Sequence, residues 1–372
     1  MSAKADYGFG ARLLHHFALA PQMVQEMSFQ IDQMLRPSRP EEAREGEHVF
    51  VSALARAGTT ALMRLLYETG EFRSLTYRDM PFPLAPRLWR KLSASSAKEG
   101  DLSERAHGDG IQVHFDSPEA LEEVFWRVFS GKRYILPDRL VPMEASPETI
   151  EAFRKYIAAL LEMDGAKRYL SKNNNNILRL SSLLKAFPEA VVIIPFRDPL
   201  QHSLSLLRQH TRFVQVHKED SFSRKYMDWL VHHEFGSGHR RFDIDGSVPS
   251  YRAESPDYWL EQWNRVYTYL VDRARSVGAA GATHSAGSAG AGGGKILFLE
   301  YEALCDRPEA VWKKLARGIG VKEELPAGFS LAKAPERDAS GFDKQLEREA
   351  YGTHKKLREI SGDRDEADGK RY

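Results

Sequence analysis

Two short runs of this 372-residue chain carry side chains that suit phosphate oxygens. The first is Arg56-Ala57-Gly58-Thr59-Thr60; the second is Arg197-Asp198-Pro199, with Ser205 eight positions beyond Arg197. An arginine offers a forked set of N–H donors that stays charged at physiological pH. Gly58 lets backbone approach an anion with no Cβ in the way and tolerates a positive φ. Hydroxyls, with the N–H groups left over at a helix start, complete a phosphate cradle. Two cradles in one chain point to a ligand phosphorylated at two places. An ordinary βα turn with a threonine N-cap, and an Arg197 paired with Asp198 or another carboxylate, would use the same residues.

Each run must sit where a strand becomes a helix. Val49, Phe50, Val51 and Leu54 precede the first run as a short apolar strand, of the kind buried on both faces of a parallel sheet. Leu62, Leu65 and Leu66 follow at helical spacing, which predicts a helix start near Thr59 or Thr60. Before the second run, Ala190 to Phe196 is β-prone and broken at its end by Pro195. Pro199 pre-sets φ for a first helical turn, and Leu200, Leu204 and Leu207 predict a core-facing stripe. Ser205 shares an anion with Arg197 only if that helix runs beside it. The triphosphate loop G-x-x-x-x-G-K-[ST] is absent here.

In combination these motifs resemble the sulfotransferases that use 3′-phosphoadenosine 5′-phosphosulfate (PAPS). The residues are A-R-A-G-T-T after a strand, then F-P-x-A-x-x-I-x-x-x-R-D-P with its later serine. The pattern is most similar to the bacterial and tyrosylprotein branches, whose first loop reads R-S-G-T-T; Ala57 departs from it. A third stretch, KILFLEYEAL from Lys295, is similar to the family's Y-E-x-L module. The resemblance covers about residues 46–210 and 295–320. It implies a P-loop-like α/β fold, a mostly parallel sheet with helices on both faces. It also implies PAPS as donor, no metal, and in-line transfer of the sulfuryl group. Arg56, Ala57, Gly58, Thr59 and Thr60 would hold the 5′-phosphosulfate, Arg197 and Ser205 the 3′-phosphate, and Tyr301 would belong to the same site.

Sulfuryl transfer builds charge on the departing 5′-phosphate, so preorganised donors at Arg56 would lower the barrier, by analogy with phosphoryl transfer. The acceptor hydroxyl needs a base within hydrogen-bond reach. By resemblance that base is an acidic residue about twenty positions past the first loop. Asp79 is the first choice, since Glu71 lies near the helix end and Glu68 on the helix itself. A histidine base would fall on His107 or His114. Lys172, heading KNNNNILRL, stands where the family often has a lysine facing the sulfonate or the acceptor. His232, His233, His239 and Glu234 match no zinc spacing.

The remaining composition sets bounds. A formal net charge of +1 gives no electrostatic case for nucleic acid. Basic residues from His210 to Lys225 predict a solvated helix face. The single cysteine, Cys305, precludes an intrachain disulfide and fits a reducing, cytoplasmic setting. No apolar run is long enough for a membrane span and no signal peptide is evident. Residues 1–46 are expected to be helical and able to form a homodimer contact; 47–330 form the α/β domain; 331–372 form a helical, charged tail. An insertion over about 80–166 would shape the acceptor pocket, and a Gly/Ala/Ser link is expected over 278–294. The acceptor expected is a small molecule, glycan or lipid, which the sequence does not identify further. Alternatives are an ATP-dependent phosphotransferase of related fold and a non-catalytic nucleotide-binding protein.

Overall fold

The computed structural model describes residues 9–35, 37–93, 103–104, 112–113, 120–166, 168–284, 294–327, 329 and 331–362. His107 and His114 lie outside the described residues, as do parts of the expected 278–294 link and of the charged tail.

The chain opens with α1 (Phe9–Leu19), α2 (Gln22–Leu35) and α3 (Pro40–Arg44), then β1 (Val49–Val51), α4 (Thr59–Tyr67) and β2 (Phe72–Arg73). The next segment holds α5 (Pro86–Ser93), β3 (Ser103–Glu104), β4 (Gln112–Val113), α6 (Glu123–Tyr134), β5 (Arg139–Leu140) and α7 (Pro147–Asp164). There follow β6 (Arg168–Lys172), α8 (Leu180–Ala186), β7 (Val191–Phe196), α9 (Pro199–Glu219), α10 (Ser221–Trp229) and β8 (Arg241–Phe242). The chain closes with α11 (Pro256–His284), β9 (Lys295–Glu300), α12 (Tyr301–Asp306), α13 (Pro308–Ile319) and α14 (Lys344–Ser361).

Five strands form a parallel sheet in the order β2-β6-β1-β7-β9. The chain leaves β1 for β2 at one edge, returns to β6 beside β1, then crosses to β7 on the other side. The winding therefore reverses around β1, and the crevice at its carboxyl end is where such sheets bind ligands. Every residue of β1 and β7 is buried, as the unbroken apolar runs require. On one face Val49 and Val51 pack with Leu62 and Leu66 of α4 and Trp312 of α13. On the other, Phe50 joins Phe187, Phe153 of α7 and Trp263 of α11.

Local chemistry sets the helix ends. Asp198 caps α9 by accepting from the N–H groups of Leu200 (3.0 Å) and Gln201 (2.9 Å), with Pro199 as first helical residue. On α9 the buried stripe runs through Leu200, His202, Ser203, Ser205 and Leu206, while Leu204 and Leu207 are only half-buried. The helix is covered by α11 and by the loop after β1, so its polar residues are enclosed as well. The helix α11 continues to His284, into the stretch expected as a link, where alanine favours helix. Among the described residues no helix is long and apolar enough to cross a membrane.

Candidate active site

The loop between β1 and α4 is held in an unusual conformation. Arg56 has φ 69° and Gly58 φ 89°, both left-handed. For arginine this costs of the order of 1–2 kcal/mol, so neighbours must enforce it. One enforcer is His202 on α9, which is fully buried. Its Nε2–H donates to the Ala55 carbonyl (2.8 Å), and its Nδ1 accepts from the Trp263 indole N–H (3.2 Å). A carbonyl can only accept and an indole N–H can only donate, so the ring is fixed as one neutral tautomer. Burial, with the charge of Arg197 adding to it, holds its pKa down to about 3. Gly58 is the N-cap of α4, and Thr59 and Thr60 open that helix, Thr59 buried. A Cβ on Gly58 would lie 2.2 Å from Cδ2 of Tyr301. Ala57 is fully buried.

The second corner abuts the first because β7 pairs with β1. Arg197 donates from Nη1 to the Arg56 carbonyl (3.2 Å) and forms an ion pair from Nε to Glu302 Oε1 (3.0 Å). Arg56 Nε lies 3.5 Å from the Ser205 hydroxyl, so α9 does run beside the loop. The ring of Tyr301 lies 5.8 Å from the Arg197 guanidinium carbon. Arg56, Gly58, Arg197, Ser205 and Tyr301 are thus neighbours. A cavity of about 260 Å³ adjoins Arg197 and Tyr301, lined also by Asp198, Gln201, Glu302 and Lys333 among others. Nothing in the sequence spacing marked Glu302 or His202, although Glu302 directly follows Tyr301.

Lys172 is the last residue of β6, in register with Val51, and is buried. The asparagines that follow are held by two buried carboxylates on the helical turn at α6. Glu122 accepts from the Trp126 indole, the Tyr169 hydroxyl and Asn176 Nδ2 (2.9 Å). Glu123 accepts from Asn173 Nδ2 (2.6 Å) and takes both Nη groups of Arg179 at 2.7 Å. Both Nη groups of Arg179 are thus satisfied by the buried carboxylate, while its Nε has no hydrogen-bond partner among the described residues. Asn174 instead donates from Nδ2 to Glu234 Oε1 (2.9 Å).

Asp79 is placed differently from the expectation of a base facing an acceptor. It is 4% exposed, both carboxylate oxygens accept from Arg73 Nη2 at 3.1 Å, and Oδ2 also accepts from the Thr76 N–H (2.8 Å). Arg73 in turn pairs with Asp164 at the end of α7 (2.7 Å). Asp79 closes a capping box and neutralises a buried arginine. Glu71 lies near Arg168. Among the described residues no group of three or more His, Cys, Asp or Glu is arranged to hold a metal. His210 and His217, expected on a solvated face, are buried against Trp259 and Met227.

A model of the sulfotransferase family matches residues 48–243, more than half of the chain. No curated protein matches it. Among solved structures it is similar to sulfotransferase STF1 from Mycobacterium tuberculosis H37Rv, at 15% identity over 95% of this chain and 86% of that one, TM-score 0.48. It is also similar to sulfotransferase STF9 from Mycobacterium avium, at 14% identity over 93% and 76%, TM-score 0.44. A sulfotransferase from Alicyclobacillus acidocaldarius gives 14% identity over 87% and 98%, TM-score 0.36. With the family's region spanning the strained loop, Lys172 and the Arg197 corner, the chain belongs to the sulfotransferase family.

Proposed function

We propose that the chain transfers a sulfuryl group from PAPS to a hydroxyl or amine of a small-molecule, glycan or lipid acceptor. The observation that carries this is the abutment of the two βα corners, with Arg197 bonded to the carbonyl of Arg56. A nucleotide bearing phosphate at both its 3′ and 5′ positions can reach both from one crevice. Arg56, with Ala57, Gly58, Thr59, Thr60 and the N–H groups opening α4, holds the 5′-phosphosulfate and steadies the charge that grows as it departs. Arg197 and Ser205 take the 3′-phosphate, and Tyr301 flanks it. Lys172, at the end of β6 opposite Val51, acts on the sulfonate or the acceptor. A cytoplasmic setting accords with Cys305 being the only cysteine.

The test is calorimetry with 3′-phosphoadenosine 5′-phosphate against ATP, followed by transfer of labelled sulfate across acceptor classes. Preferred binding of the bisphosphate and sulfate transfer are expected. Preference for ATP would favour a phosphotransferase, and binding of the bisphosphate without any transfer would leave a binding protein.

A further inference from the structure

With Asp79 committed to Arg73, the acceptor's proton needs another destination. The acceptor must meet the donor at the carboxyl ends of β1 and β6, where Lys172 ends its strand beside Val51. Two residues on, the carbonyl of Asn174 lies 3.5 Å from the hydroxyl of Ser52, which follows β1 directly. Its Nδ2 donates to Glu234 Oε1, and its Oδ1 is buried with no partner among the described residues. Glu234 is therefore tied to the strand ends from 60 positions away in sequence. The other oxygen of Glu234 faces His232 Nδ1 at 3.7 Å. The two side chains are 17% and 12% exposed, so both are largely withdrawn from bulk water.

The backbone there is also forced. Among the described residues only Arg56 and Val231 are non-glycine residues with positive φ, and Val231, at 57°, immediately precedes His232. For a β-branched residue that conformation is a genuine outlier, of the kind that clusters at working sites. Asn175 pins it by donating from Nδ2 to the Val231 carbonyl (3.3 Å). Glu234 also lines a small crevice with Leu54, Ala55, Leu206 and Trp259, which runs to the residue before Arg56.

Resting on the sulfotransferase reading above, we propose that His232 is the base that takes the acceptor's proton, with Glu234 as the carboxylate that orients it. Glu234 stands 3.7 Å from Nδ1, outside hydrogen-bond length; closing by about half an ångström as the acceptor binds would let it accept Nδ1–H and leave the Nε2 lone pair for the acceptor, the same logic by which a carboxylate sets a catalytic imidazole. In the step, the acceptor O–H bond breaks and its proton passes to Nε2. The oxygen's electron pair forms the new O–S bond. The old S–O bond to the 5′-phosphate breaks and its pair leaves with 3′-phosphoadenosine 5′-phosphate. Burial works against the charged form of Glu234, but the Lys172 ammonium and the Asn174 amide favour it, so it can stabilise the imidazolium that forms.

The experiment compares two acceptor probes, phenol and 4-nitrophenol, with labelled PAPS, in buffer above the pKa of 4-nitrophenol but below that of phenol. The nitrophenol arrives already ionised and needs no base. His232→Gln is expected to lower transfer to phenol by about 100-fold or more, and transfer to 4-nitrophenol by less than about tenfold. Affinity for 3′-phosphoadenosine 5′-phosphate should stay unchanged. Glu234→Gln should show the same selectivity with a smaller loss. Equal losses with both phenols would assign His232 a structural role and overturn the proposal, as would phenol transfer at the parent rate. A parent protein that neither binds the bisphosphate nor consumes PAPS would instead sink the sulfotransferase reading beneath it.

Discussion

Arg197 already has an anionic partner. Its Nε is paired with Glu302, which lines the same cavity, so an incoming 3′-phosphate meets a like charge as well as a cation. Arg197→Ala should weaken 3′-phosphoadenosine 5′-phosphate by about 1.5–3 kcal/mol. Glu302→Gln, removing the competing charge, should tighten it by up to about tenfold. Titration calorimetry checks both, and 5′-AMP should show neither change; equal effects on it would refute the 3′-phosphate assignment. At Asp79 the prediction concerns folding. Asp79→Asn leaves Arg73 partly uncompensated in the interior and should cost about 3 kcal/mol of stability, read from denaturant unfolding, with donor affinity retained. A variant as stable as its parent but inactive in transfer would restore Asp79 as the base.

The strand-to-helix units were legible because periodicity and caps act over a few residues. Val49 to Val51, Val191 to Phe196 and Lys295 to Glu300 are strands, and Pro199 and Pro256 open helices as their positions predict. The placing of Gly58, Arg197 and Ser205 at or after those corners was readable for the same reason. What local pattern cannot encode is the choice of distant partner. Whether Asp79 faces solvent or an arginine depends on Arg73 and on Asp164 of another helix. The run of four asparagines suited a turn, yet its members are sorted by what meets them: Glu122 and Glu123 claim Asn173 and Asn176, and Glu234 claims Asn174. A histidine on α9 reads as one more polar residue until Ala55 and Trp263 are beside it. At this scale Gly58→Ala is the sharpest probe. Left-handed strain alone should cost about 1–2 kcal/mol, and the new Cβ must displace Tyr301. Donor binding should fall far more than stability; intact donor binding, measured by calorimetry, would show the loop to be more pliant than drawn.

Over the whole molecule, burial leaves five histidines neutral, with pKa held down to about 4 in His48, His239 and His354 and about 3 in His202 and His233. The unfolded chain binds more protons than the folded one below the ordinary histidine value, so stability rises with pH there. Each should contribute its full share above about pH 6.5 and lose it progressively as pH falls towards 4. Melting temperature should drop steeply over that window; a flat profile from neutral pH down would contradict the buried, uncharged assignment. At the surface, α1 and α2 expose Phe17, Met23, Met27, Ile31 and Met34. A homodimer through these helices would cover them, and equilibrium sedimentation showing only monomer would remove it. The ring of Tyr301 over Gly58 has a practical corollary. The family match ends at residue 243, but the ring that covers Gly58 arrives with β9 and the start of α12. A fragment trimmed to the matched stretch would lose a sheet edge and Tyr301 together, so the shortest piece that keeps the Gly58 corner walled must extend past residue 301.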